Sequence, residues 1–132
     1  MGGSAAVVPD DDDAFFFAGA EIGELRLRRC AACGRLRHPP TPMCPACHSV
    51  EQDWAVASGA GVISSWILAR HPARPDDDAR VVALVDLPEG CRVVTNLVDI
   101  DPSAIRVGDA VTVCFVEIGG AVLPCFRPAD QR

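Results

Sequence analysis

The sequence predicts a mainly β protein in two parts: a short helix and a metal-held ribbon first, then a small five-stranded barrel. Three observations carry this. Cys30, Cys33, Cys44 and Cys47 form two C-x-x-C pairs ten residues apart. After Gly59 the chain reads as five short runs rich in Val, Ile and Leu, broken by turn residues. Ahead of both, Asp10 to Asp13 precede Ala14-Phe15-Phe16-Phe17-Ala18, and acids before an apolar run mark a helix start, because carboxylates suit the positive end of the helix dipole.

Each C-x-x-C is a tight knuckle that presents two thiolates about 3.5–4 Å apart, and two knuckles close a tetrahedral S4 site. Gly34 follows the first pair, where a residue tolerant of positive φ is favoured, and Pro45 preforms the turn of the second. The cofactor expected is one structural Zn2+, with all four positions taken by protein thiolates and none left for water or substrate. Iron would accept the same ligand set. Two disulfides would need an oxidising compartment, which the start of the chain does not announce. A single redox C-x-x-C would leave its twin unexplained.

Composition narrows the functions. The 132 residues are 49% apolar, with Phe 5, Trp 2 and no Tyr, and the formal net charge is −6. An acidic chain with few aromatics is a poor platform for phosphate neutralisation or base stacking, so nucleic acid is not the expected partner and a nucleic-acid-binding module only the alternative reading. No apolar run reaches the length of a membrane span. Cytoplasm is the default location. Every basic side chain in the count of 12 is Arg, and no Lys occurs.

The elements follow in order. Residues 1–9 read as a tail, 10–24 as the N-terminal helix, 25–58 as the ribbon, 59–128 as the barrel and 129–132 as a second tail. Gly19 and Gly23 keep the helix short. Three successive Phe residues sweep roughly 200° of its circumference, so Phe15, Phe16 and Phe17 cannot all face this chain's own core. They are candidates for partner binding, or for a wedge between ribbon and barrel. Leu25 to Arg29 alternates as the strand entering the ribbon, and Trp54 to Ala57 is the strand leaving it. The five barrel strands are Val62–Leu68, Val81–Leu87, Arg92–Val98, Ala110–Glu117 and Leu123–Arg127. His71 to Ala79 is a polar loop, Asp101 to Ala104 a helical turn and Gly119-Gly120 the last hairpin turn. One helical turn between the third and fourth of five strands matches a Greek-key barrel of the OB-fold type.

Other residues are weaker candidates. His38 and His48 flank saturated knuckles and read as surface or supporting groups. Cys91, Cys114 and Cys125 lie outside the metal pattern, and Cys114 reads as a buried small hydrophobe. No Cys/His/acid set can be assembled, so no catalytic residue is assigned. Arg26, Arg28, Arg29, Arg35 and Arg37 form a basic cluster, read as a solvated ribbon face paired with acids elsewhere or as a phosphate contact. Arg70, His71 and Asn96 are ligand or interface candidates, since OB barrels bind around their second and third strands.

The order of parts resembles a known family, the rubredoxin-like zinc ribbon plus OB-fold proteins of acyl-CoA metabolism, long catalogued as a domain of unknown function. The resemblance runs from about Ala14 to Pro128. It rests on Gly23–Arg35 (GELRLRRCAACGR), Pro39–Cys47, Trp54–Trp66, Val81–Leu87, Arg92–Val98 and Leu123–Pro128. His48 stands where Gly commonly follows the second knuckle, and Phe16-Phe17 where Phe-Trp is common. The resemblance implies an accessory, non-catalytic subunit or domain bound to a thiolase-like enzyme, a thiolase or a retro-aldol lyase, acting on an acyl-CoA, as in steroid side-chain degradation. There the partner supplies the catalytic residues, and the zinc/OB chain stabilises it and helps shape the acyl-CoA channel.

Overall fold

The computed structural model describes residues 13–70 and 79–129. Two compact units emerge: residues up to Ser58 together with Phe115–Pro124, and Gly59–Cys114 together with the chain from Cys125 onward.

In the first unit, helix α1 (Ala14–Glu21) begins at Asp13, whose carbonyl accepts the Phe16 and Phe17 amides at 3.0 and 3.3 Å. It runs through Gly19 and ends before Gly23, which adopts φ +80°. Gly19 shortens nothing. Its missing side chain makes room for Arg26, whose Cδ would lie 2.6 Å from a Cβ there. The ribbon is a three-stranded antiparallel sheet in the order β2 (Leu36–Arg37), β1 (Arg26–Cys30), β3 (Gln52–Val56). The sequence pattern shows β1 and β3 and gives no sign of β2, a two-residue strand between knuckle and prolines. Leu25 and Leu27 are buried as the alternation predicts.

The second unit holds most of a closed barrel with strand order β4-β5-β6-β8-β7, whose last hairpin tip, Phe115–Pro124, is counted with the first unit. Its strands are β4 (Ala60–Ala69), β5 (Arg80–Asp86), β6 (Arg92–Leu97), β7 (Ala110–Ile118) and β8 (Ala121–Pro128). A 3-10 turn at Pro102–Ala104 is capped by Asp101, whose carboxylate accepts the Ser103 amide at 2.9 Å. β4 closes onto β7, and β6 lies parallel to β8 at Leu97 and Phe126. That is the OB arrangement expected from five strands with a helical turn after the third. Val81, Ala83 and Val85 of β5 and Val93, Thr95 and Leu97 of β6 face inward, with Phe126 and Val111 from the closing strands also buried. The polar loop expected from His71 lies outside the described residues, apart from Ala79.

One feature of β4 escapes sequence patterning. Its register with β5 shifts between Ile63 and Ser65, so an extra residue bends the strand as a β-bulge does. Gly61, two residues before Ile63, sits where a Cβ would run into Val85.

Candidate metal centre

Both knuckles repeat one backbone plan. The Gly34 amide returns to the Cys30 carbonyl at 2.9 Å, and the His48 amide returns to the Cys44 carbonyl at 2.8 Å. The fourth residue after each leading cysteine is left-handed, Gly34 at φ +82° and His48 at φ +64°. Only the first of these positions carries the residue that adopts it without strain. β1 delivers Cys30 directly, and the Ala31 amide bonds the Glu51 carbonyl at 3.0 Å, tying the first knuckle to the strand that leaves the second.

The four sulfurs meet. All lie within 4.8 Å of one another, with Cys30 Sγ 3.5 Å from Cys47 Sγ and Cys33 Sγ 3.7 Å from Cys44 Sγ. A tetrahedron with zinc–sulfur bonds near 2.3 Å has edges of about 3.8 Å, so the donor set fits one zinc ion. Cys30 and Cys44 are buried, Cys33 and Cys47 exposed. The electrostatics favour thiolates on the leading cysteines. A hydrogen bond from the Cys33 amide, 3.4 Å from the sulfur, is the main reason the Cys30 thiol falls to about 6. The Cys47 amide similarly lowers Cys44. For Cys47 the Ser49 amide pulls downward, but Cys30, burial, Cys33 and Cys44 together push the thiol up to about 11. A cation is what lets four such groups ionise side by side. Zinc here supplies folding energy, with four protein ligands and no open position for chemistry.

The phenylalanines have internal partners. Phe15 stacks on Trp54, centroids 5.9 Å apart and planes at 18°, and the Arg28 guanidinium lies 3.8 Å from the Phe15 ring centre. Arg26 sits 4.7 Å over Trp54 and pairs with Glu24 at 2.9 Å. Phe16 meets Phe17 edge-on at 5.5 Å and the His38 ring at 5.4 Å. Burial holds His38 below its usual range. Within the ribbon unit all three Phe side chains are thus half-buried.

In the arginine cluster Arg26 and Arg29 pair with acids, Arg35 is exposed, and Arg28 departs from the solvated face expected. Arg28 is 7% exposed and donates to the Asp53 carbonyl at 3.1 Å. Arg29 pairs with the Asp53 carboxylate at 2.8 Å, and Arg37 donates to Thr41 and Gln52. Arg28, Arg29 and Arg37 are thus engaged by their own ribbon.

In the barrel, Asn96 stands opposite Val82, itself opposite Ile67, and Arg70 follows the end of β4. His71 lies outside the described residues. Cys114 is half-buried, where the sequence suggested full burial, while Cys91 and Cys125 are buried. Burial raises the thiols of all three. No helix among the described residues is long and apolar enough to cross a membrane.

A rubredoxin-like zinc ribbon joined to an OB barrel is the class that this fold and these four thiolates define. Comparison with known proteins gives the same division. Residues 17–51 match the family model of the "ChsH2, rubredoxin-like zinc ribbon domain", and residues 54–116 that of the "ChsH2, C-terminal OB-fold domain". A "DUF35 domain-containing scaffold protein" of Methanothermobacter thermautotrophicus is 34% identical over 68% of this chain and 70% of its own length. The chain belongs to this DUF35 family. It is also 48% identical, over 86% of its length, to a "Probable enoyl-CoA hydratase alpha subunit" of Thermomonospora curvata. To the "3-oxo-4,17-pregnadiene-20-carboxyl-CoA hydratase alpha subunit" of Mycobacterium tuberculosis it is 34% identical over 87%. It spans only 36% and 37% of those two proteins. A solved structure titled "Ltp2-ChsH2(DUF35) aldolase" superposes with a TM-score of 0.84 at 45% identity, covering 94% of this chain and 99% of that one.

Proposed function

We propose that this chain is a non-catalytic accessory subunit or domain that binds and stabilises a thiolase-like enzyme, a retro-aldol lyase acting on the acyl-CoA of a degraded steroid side chain. The observation that carries the reading is the end-to-end likeness to the DUF35 chain of the structure titled as an aldolase. The steroid-CoA name of the mycobacterial relative supports the substrate class. The metal centre supports the accessory part, because a saturated S4 site is built for structure. We place the chain in the cytoplasm, where thiols stay reduced and available to zinc. We assign partner contact to the half-buried Phe16 and Phe17 of α1, with Phe15 already held by Trp54 and Arg28.

The test is an affinity pull-down from the native host, followed by native mass spectrometry and an aldolase assay on a steroid-CoA β-hydroxy acyl thioester. A thiolase-type protein in fixed stoichiometry, active only as the complex, is the expected result. Recovery of the chain alone, or a partner equally stable and active without it, would sink the proposal. Phe17→Ala should weaken capture while leaving the zinc content and melting of the ribbon in place.

A further inference from the structure

The fold brings together two cysteines that the metal centre does not use. β7 and β8 are neighbours in the barrel. The Ala129 amide donates to the Ala110 carbonyl at 3.1 Å, and in an antiparallel ladder such a bond sets the two residues opposite each other. Four residues further along each strand from that rung stand Cys114 and Cys125. Counting back from Ile118 and Ala121 across the two-residue Gly119-Gly120 turn gives the same pairing. A second observation agrees: after burial, the Cys114 charge is what raises the Cys125 thiol. Directly opposed residues project to the same face of the sheet. At a hydrogen-bonded rung their Cα atoms are about 5.5 Å apart, inside the roughly 4.4–6.8 Å that a disulfide spans.

We propose that Cys114 and Cys125 form a dithiol that a peroxide oxidises to an intramolecular disulfide, a reversible covalent rung between β7 and β8. Cys114 is half-buried and Cys125 fully buried, so Cys114 is the sulfur a peroxide meets first. Its thiolate attacks the O–O bond and becomes a sulfenic acid, and the hydroxide released takes up a proton and leaves as water. The Cys125 sulfur then attacks the Cys114 sulfur and expels the second oxygen as water. Two thiols and one peroxide become one disulfide and two waters. Burial, with Asp99, raises the Cys114 thiol against the opposing pull of Arg127, so oxidation quickens as pH rises and thiolate forms. Opposed Cβ atoms stand about 4.5–5.5 Å apart and a disulfide draws them to about 3.8 Å. The rung is therefore of the strained kind that a dithiol readily reopens.

The zinc-loaded full chain is treated with excess hydrogen peroxide, denatured, alkylated and digested with trypsin. The tryptic peptide starting at Val107 carries both cysteines and no others. The expected result is that this peptide loses two hydrogens and falls from two alkyl labels to none. Dithiothreitol before alkylation restores both labels. Cys125→Ser abolishes the mass loss, and so does Cys114→Ser at the half-buried position, where folding is least at risk. Full alkylation of both thiols after peroxide, Cys114 carried to sulfinic acid with no bridge, or a bridge between two chains would each overturn the proposal.

Discussion

Among the described residues of the ribbon unit the buried apolar side chains larger than alanine are Leu25 and Leu27, beside the metal-site sulfurs Cys30 and Cys44. In the barrel unit Ile63, Val81, Val85, Leu87, Val93, Leu97, Ile105, Val111 and Phe126 are all buried. Two leucines are too small an apolar core to order the ribbon by themselves. A structural zinc site contributes on the order of 10–16 kcal/mol, so in the ribbon the ion does what apolar burial does in the barrel. The aromatic and arginine stack of Phe15, Trp54, Arg26 and Arg28 covers the sheet without making a core of it. One chain thus carries two different sources of stability, one in the ribbon and one in the barrel.

The largest effect expected is from removing a metal ligand. Cys30→Ser, or chelation of the ion, should abolish the ribbon's protected amides in hydrogen exchange. The barrel amides of β5 and β6 should remain protected, and in a complex the partner should be lost with the ribbon. A zinc-free chain that keeps its ribbon amides would break the comparison. Phe126→Ala reverses the pattern: truncating a fully buried aromatic costs about 3–5 kcal/mol. Barrel exchange should accelerate while one zinc per chain persists by elemental analysis.

A smaller and opposite effect is expected at His48, a non-glycine residue at φ +64°. His48→Gly relieves about 1–2 kcal/mol of left-handed strain and returns about 0.4–1 kcal/mol to the unfolded chain as entropy. The net expectation is a modest gain, read as slower zinc loss to a competing chelator. Unchanged or faster loss would mean that the His48 side chain does more for the knuckle than its backbone costs.

The smallest concerns Asp86, held below its usual carboxylate range by the hydrogen bond from Arg92 at 2.6 Å. Between the folded value and the unfolded value near 3.8 the unfolded chain binds more protons. The pair's stabilisation is therefore present above that unfolded value and lost as pH falls through the folded one. Both side chains are about half exposed, so Asp86→Asn should lower the barrel's melting temperature only slightly at pH 7 and not at all at strongly acid pH. An equal difference at both ends of that range would mean Asp86 acts through packing.

Much of this was legible in the chain itself. The C-x-x-C spacing located all four sulfurs because a knuckle is a local structure, set by four consecutive residues and a turn. The barrel strands were readable because alternate residues of β5 and β6 face inward, a period of two that survives any tertiary arrangement. Other features depend on residues far apart in the chain and left no local mark. Strand β2 exists because Leu36 and Arg37 find Arg29 and Arg28 opposite them. Arg28 is buried because Phe15, thirteen positions earlier, lies under its guanidinium, which no alternation of Leu and Arg could announce. The bulge in β4 and the meeting of Cys114 with Cys125 are likewise matters of register. What the sequence determined by itself was therefore the metal centre, the barrel strands and the family. Only the tertiary structure decided which charges are spent internally and which cysteines face one another, because both are pairings across the fold.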